Sequence, residues 1–172
     1  MKCITISGGA GHGKDTLARN IKKILESKNK KVFIIHYADY LKMVAKQVYN
    51  WNGVKDEYGR TLLQSLGDKM RELDEMFIIN ELLKILNLVK NDFDVAIIPD
   101  ARLPKEIDIL NTVGKTISIH IHRVDYQSKL TNSQSNHKTE TALNNYIYDY
   151  NLKTYTNQKI KELDTIIQDI LS

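Results

Sequence analysis

Four of the eight glycines in this 172-residue chain fall between positions 8 and 13. They belong to the run Gly8-Gly9-Ala10-Gly11-His12-Gly13-Lys14-Asp15-Thr16, which follows an apolar stretch and opens a helix-like one. Such a turn lets successive backbone N–H groups converge on an anion, because few side chains stand in the way. The N-terminus of the following helix adds a partial positive charge. Lys14 adds a full charge that reaches the β- and γ-phosphates of a nucleoside triphosphate and follows charge as it moves. Residues 8–16 therefore read as a phosphate cradle of the P-loop type, with ATP as the expected donor. The position after the lysine usually carries a serine or threonine hydroxyl for Mg²⁺. Here it is Asp15, followed by Thr16. A carboxylate also holds Mg²⁺, directly or through water. Asp15 and Thr16 are thus candidate metal ligands together with Asp100, and Thr16 is a candidate for the α-phosphate.

A second set of polar residues has the spacing of a pocket for another phosphate. Arg60, Gln64 and Arg71 share one face of a continuous helix at about 100° per residue. Leu62, Leu66, Met70 and Leu73 fall on the opposite face. A solvated helix face would use the same residue types. Asp39, Lys42 and Lys46 form a similar stripe just beyond the second expected strand. Asp100, Arg102 and Glu106 follow the third. In open α/β sheets such carboxyl ends are where ligands bind. Arg123 closes a further strand, and His137, Lys138 and Glu140 end a polar segment at 124–141 that reads as a small mobile lid. His120 and His122 alternate with Ile119 and Ile121; with no third ligand nearby in sequence, they read as polar residues of one strand face. Tyr146, Tyr148 and Tyr150 alternate likewise and read as packing.

The elements that must position these groups alternate between strand and helix, which predicts a mostly parallel sheet covered by helices. Strands are expected at 2–7, 31–36, 94–98, 115–122 and 145–150. Helices are expected at 14–28 and 39–50, over 57–90 in two or three pieces, from Pro104 to before Gly114, and at 157–171. No repeat or linker divides the chain, so residues 1–172 read as one α/β domain.

Composition narrows the function classes. Hydrophobic residues make up 42% and charged residues 27%, as in ordinary globular proteins. The net charge is +4 with a pI near 9.0. The lysines nevertheless alternate with acids along helices, and no aromatics interleave with a basic stripe, so stable nucleic-acid binding is not expected. No apolar run has membrane-spanning length. The single cysteine, Cys3, lies in an apolar run and forms no internal disulfide. With no leader ahead of the first strand, the expected compartment is the cytoplasm. An Asn-Lys-x-Asp guanine motif is absent, and Ile98-Pro99-Asp100-Ala101-Arg102 lacks the paired acids of a mechanical ATPase strand.

The ordered blocks resemble those of the phage-type deoxynucleoside monophosphate kinases. Gly13-Lys14-Asp15-Thr16 is similar to that family's form of the phosphate loop. Tyr37-Ala38-Asp39-Tyr40-Leu41-Lys42 resembles its segment after the second strand. Arg60-Thr61-Leu62-Leu63-Gln64-Ser65-Leu66-Gly67 resembles its Arg-x-Leu-Leu-Gln-x-Leu-Gly block, with Arg71 following. Asp100-Ala101-Arg102-Leu103-Pro104-Lys105-Glu106 resembles its Asp-x-Arg-x-x-x-Glu block, and His137-Lys138-Thr139-Glu140 its His-x-x-Glu element. The resemblance runs from about residue 4 to 140. It implies a three-layer nucleoside monophosphate kinase fold, a nucleotide acceptor near Arg60, Gln64, Arg71 and Arg102, and a homodimer. Lys14, Arg102 and Arg123 are then the expected catalytic cations. Two alternatives stand beside it: another small-molecule P-loop kinase, such as one acting on dephospho-coenzyme A, and a nucleotide-binding module without turnover.

Overall fold

The computed structural model describes residues 1–127, 130, 131, 134, 137–156, 158 and 160–172. Part of the 124–141 segment, and residues 157 and 159 at the expected start of the closing helix, lie outside them. The strands are β1 (Lys2–Ser7), β2 (Val32–Ile34), β3 (Val95–Ile98), β4 (Thr116–Arg123) and β5 (Tyr150–Thr154). The helices are α1 (Lys14–Ser27), α2 (Ala38–Tyr49), α3 (Glu57–Leu73), α4 (Phe77–Val89), α5 (Pro104–Asp108), α6 (Lys138–Thr141) and α7 (Leu163–Leu171). A 3₁₀ turn, Ile109–Thr112, continues α5.

All described strand pairs are parallel, in the order β2-β3-β1-β4-β5. A parallel sheet must be covered on both faces, and its strands then read as continuous apolar runs. The alternation of β1 and β3 divides the core accordingly. Ile4, Ile6, Val95 and Ile97 pack under α1 and α7. Cys3, Ala96 and Ile98 face the other way, toward residues of α2, α3, α4 and α5. Each fully buried isoleucine contributes about 1.5–3 kcal/mol over its exposed state. The helix that begins at the phosphate loop thus covers one face, and every helix expected to hold the second phosphate covers the other.

The expected elements exist with shifted ends. The 57–90 helical region divides at Asp74, whose Oδ1 accepts the Met76 N–H at 2.9 Å. Leu73, expected on the core face, lies in the last turn of α3 and is 89% exposed. Leu66 is buried, and Leu62 and Met70 pack against the core. The last strand begins at Tyr150 rather than 145. The Asp149 carboxylate accepts both the N–H and the hydroxyl of Ser118, at 2.7 and 2.8 Å, so strand pairing starts only at Ile119↔Tyr150. Among the described residues no helix is long and apolar enough to cross a membrane.

Candidate active site

Residues 8–13 connect the buried end of β1 to α1 as a contracted loop. Gly8 has φ 145°, and a Cβ there would lie 2.2 Å from the Ile121 carbonyl oxygen, so only glycine lets the loop pass β4. Gly13 stands at the N-cap of α1 with φ 93° and contributes no side chain to cap it. The first amides of α1 therefore have no side-chain acceptor and point into the loop, which is the anion-binding arrangement. His12 sits edge-on to His122, their ring centroids 5.1 Å apart, and its Nδ1 accepts the Arg123 N–H at 3.4 Å. The loop is thus braced against β4.

Lys14 folds back over the loop and donates to the carbonyls of Gly8 and Gly9 at 2.7 and 2.9 Å. Burial, with Arg102 adding to it and the acids Glu140, Asp100 and Asp15 opposing, lowers its pKa to about 8. A phosphate arriving in the loop would restore the missing counter-charge.

From Asp15 a chain of charges crosses to α2. Asp15 Oδ1 lies 2.8 Å from His36 Nε2, and His36 Nδ1 lies 3.3 Å from Asp39 Oδ2. Asp39 Oδ1 accepts from Lys42 at 2.8 Å. Burial works against the charge on His36, but its bonds to Asp15 and Asp39 outweigh this and raise its pKa to about 9. The His36 bond is also what lowers the Asp15 carboxyl most, against its partial burial. Asp39, expected to face substrate, is engaged by His36 and Lys42. Asp100 accepts the N–H groups of Tyr37 and Ala38 at 2.9 and 3.0 Å, and so holds the start of α2 at the end of β3.

A cavity of about 120 Å³ opens beside this chain, between the sheet edge, α2 and α3. Arg60, Gln64, Arg71, Lys42, Asp100, Arg102, Glu106 and Glu140 line it, with Tyr37, Leu41, Leu63 and Ile78 as its apolar wall. The polar stripe of α3 is therefore a pocket wall. Glu106 is 1% exposed and works behind the cavity surface. Its Oε2 accepts the Arg102 and Leu103 N–H groups at 2.7 and 3.2 Å, and its Oε1 faces Arg71 at 3.3 Å. Burial pushes its pKa up, opposed by those amides and by Arg71.

The expected lid residues separate into two groups. Glu140 pairs with Arg102, and His137 Nε2 lies 2.8 Å from Asp68 Oδ2, so α6 is latched onto the pocket. Gln134, 5% exposed, reaches Glu57 and Thr61 at the start of α3. Lys138 is exposed and lines neither this cavity nor the next. Arg123 stands apart from the acceptor pocket: it pairs with Asp125 and Thr156, and its guanidinium lies 5.5 Å over the Tyr126 ring. A second cavity, about 410 Å³, lies behind Gly8 and Gly9 and is lined by His12, His120, His122, Tyr146 and Tyr148.

Sequence reasoning singled out neither His36, which bridges Asp15 and Asp39, nor Lys55, which lines the cavity beside Lys42 and Arg60. His36 lies one residue past the apolar run of β2, and Lys55 in an aperiodic connection. Neither position carries a spacing signal.

Among the described residues no group of three or more His, Cys, Asp and Glu side chains is arranged to hold a metal. Mg²⁺ at a phosphate site is bound by one or two carboxylates, waters and the phosphates themselves. Asp15 is the carboxylate nearest the cradle that fits this part.

No curated protein matches the sequence. The fold is similar to that of an APS kinase from Mycobacterium tuberculosis, at 11% identity, 99% of this chain, 94% of that one and TM-score 0.42. It is also similar to shikimate kinase from Aquifex aeolicus, at 13% identity, 99% and 94% coverage and TM-score 0.44. A hexameric APS kinase from Thiobacillus denitrificans is 18% identical over 99% of this chain and 28% of that one, with TM-score 0.43. A model of one sequence family matches residues 18–167, a span that begins after the phosphate loop and takes in the second strand, the α3 stripe and the lid. The chain belongs to the deoxynucleotide monophosphate kinase family.

Proposed function

We propose that the chain transfers the γ-phosphoryl group of ATP to the phosphate of a deoxynucleoside monophosphate. The observation that carries this reading is the cation-lined cavity between α2 and α3, open beside the Gly8–Thr16 cradle. An acceptor phosphate oxygen forms a bond to the γ-phosphorus while the bond from that phosphorus to the β–γ bridging oxygen breaks. ADP and the acceptor's diphosphate result. The acceptor phosphate is mostly dianionic at neutral pH, so no general base is required. Catalysis is then alignment and charge stabilisation.

In this reading Lys14 and the amides of residues 8–16 hold the triphosphate. Mg²⁺, held by Asp15 with Thr16 beside it, would neutralise phosphate charge. Arg60, Gln64 and Arg71 hold the acceptor, and Arg102 stands between the two sites. Asp39, Asp100 and Glu106 orient these groups through the contacts described above. Arg123, braced on Tyr126 and Thr156 at the rim of the cradle, is assigned to the donor side.

Incubation with ATP–Mg²⁺ and a panel of monophosphates tests the reading. Transfer to one or more deoxynucleoside monophosphates is expected. Transfer confined to dephospho-coenzyme A, or nucleotide binding without transfer, overturns it. Lys14→Ala should remain folded and lose about 10²-fold or more in kcat; full activity in that variant counts against the assignment.

A further inference from the structure

Five cations line the acceptor cavity: Lys42, Lys55, Arg60, Arg71 and Arg102. Three are already held by carboxylates of the chain. Lys42 pairs with Asp39, Arg71 with Glu106 and Arg102 with Glu140. Arg60 and Lys55 form no ion pair or side-chain hydrogen bond among the described residues. A dianionic phosphate entering the cavity therefore finds two cations that no described carboxylate pairs with. Arg60 belongs to the α3 stripe and its role is already assigned. Lys55 belongs to the loop between α2 and α3, which neither the sequence pattern nor the family resemblance marks.

That loop is braced on both sides of Lys55. The Trp51 indole N–H donates to the Val54 carbonyl at 2.9 Å, and the Val54 N–H donates to Asn52 Oδ1 at 2.9 Å. Asp56 accepts the Gly59 N–H at 2.8 Å and so begins α3. Trp51 is itself buried, which fixes the loop to the core. Lys55 is thus a mobile charge on a fixed base. The groups that act on it lie on both sides of the transfer point. Its pKa is lowered, first by partial burial and then by Lys42 and Arg60 on the acceptor side, while Asp15 of the cradle and Asp100 of the sheet edge oppose the shift. A cation crowded by other cations and short of a counter-ion is the arrangement expected where a phosphate belongs.

We infer that Lys55 binds the acceptor phosphate at the point of transfer, bridging the acceptor cavity and the cradle. The inference deepens the proposed function and rests on it. Its part in the reaction is to hold the attacking phosphate against the repulsion of the γ-phosphate and to stabilise the transferring group as charge spreads between donor and acceptor. No proton moves to or from it.

The test is Lys55→Met, which keeps the stem and removes the charge, beside Lys55→Arg, which restores a charge. In steady-state transfer from ATP–Mg²⁺ to the best deoxynucleoside monophosphate, Lys55→Met should lose about 10²-fold in acceptor kcat/KM. KM for ATP should stay within about twofold and the melting temperature should not change, since Lys55 is an exposed residue with no ion pair or side-chain hydrogen bond among the described residues to lose. Lys55→Arg should regain at least about a tenth of the lost activity. Retention of acceptor kcat/KM within about threefold in Lys55→Met overturns the inference, as does an equal loss in KM for ATP. Calorimetric titration of the monophosphate supplies a readout without turnover, in which Lys55→Met should bind more weakly. A wild type that binds monophosphates through Lys55 but transfers nothing overturns the kinase reading and leaves the phosphate role of Lys55 standing. A wild type that binds no monophosphate overturns both.

Discussion

At the scale of single residues, the site is built from charges that hold other charges in place. Glu106 is the clearest case, because it is buried and meets three donors, from Arg102, Leu103 and Arg71. Glu106→Gln would set an amide NH₂ against donors it cannot satisfy. The expected cost is about 2–4 kcal/mol of stability, a fall of roughly 5–15 °C in melting temperature for a chain of this size. Calorimetric unfolding measures it, and acceptor KM should rise in parallel as Arg71 loses its brace. The cradle was legible in the sequence because phosphate binding requires glycine at particular positions and leaves a local record. The α3 stripe was legible because Arg60, Gln64 and Arg71 repeat with the helix. His36 and Lys55 were not, since their roles come from the crossing of separate elements, which no spacing encodes.

At the scale of elements, the proposed lid would govern access. The acceptor cavity, about 120 Å³, is smaller than the ~300 Å³ that small-molecule sites start from. Thr139 and Glu140 of α6, together with Leu130, line it, so an outward shift of these groups would enlarge it for a nucleotide. The His137–Asp68 contact and the Arg102–Glu140 pair are the described latches. Asp68→Ala removes one latch without touching the cavity lining. A partly exposed pair of this kind is worth about 0.2–1 kcal/mol, so ADP release in the absence of acceptor should rise about two- to fivefold at most as water gains access. A coupled assay run without monophosphate checks this; unchanged acceptor-free turnover would show that this contact does not hold the lid. The sequence marked 124–141 as polar and aperiodic, but α6 is only four residues long and the buried Gln134 is bonded to Glu57 and Thr61 of α3. Neither leaves a periodic trace.

At the scale of the whole molecule, the two faces of the sheet divide the labour, with α1 and α7 on one side and α2 to α5 on the other. The sequence marked four of the five strands close to where they lie. It missed the start of β5, because the alternating tyrosines mimic a strand while Asp149 blocks pairing until Tyr150. Cys3 reports on this core. Burial pushes its pKa up to about 11 from the ordinary value of 9.0. Between those two values the unfolded chain has lost the thiol proton and the folded chain has kept it, so this group's contribution favours unfolding as pH rises from about 9 to 11. The thiol should resist alkylation at pH 8, with modification that follows global unfolding. Stopped-flow alkylation across a denaturant series measures this, and rapid modification of the native protein would contradict the burial.

The pairing register carries a consequence for synthesis on the ribosome. Cys3 of β1 aligns with Ala96 on one side and Thr116 on the other. The segment that ends in the glycine cradle is made well before its neighbours, which emerge roughly a hundred residues later. Until then the nascent chain carries an unsupported apolar strand and a turn without its sheet neighbours, so nucleotide can stabilise the cradle only after β3 and β4 have been translated.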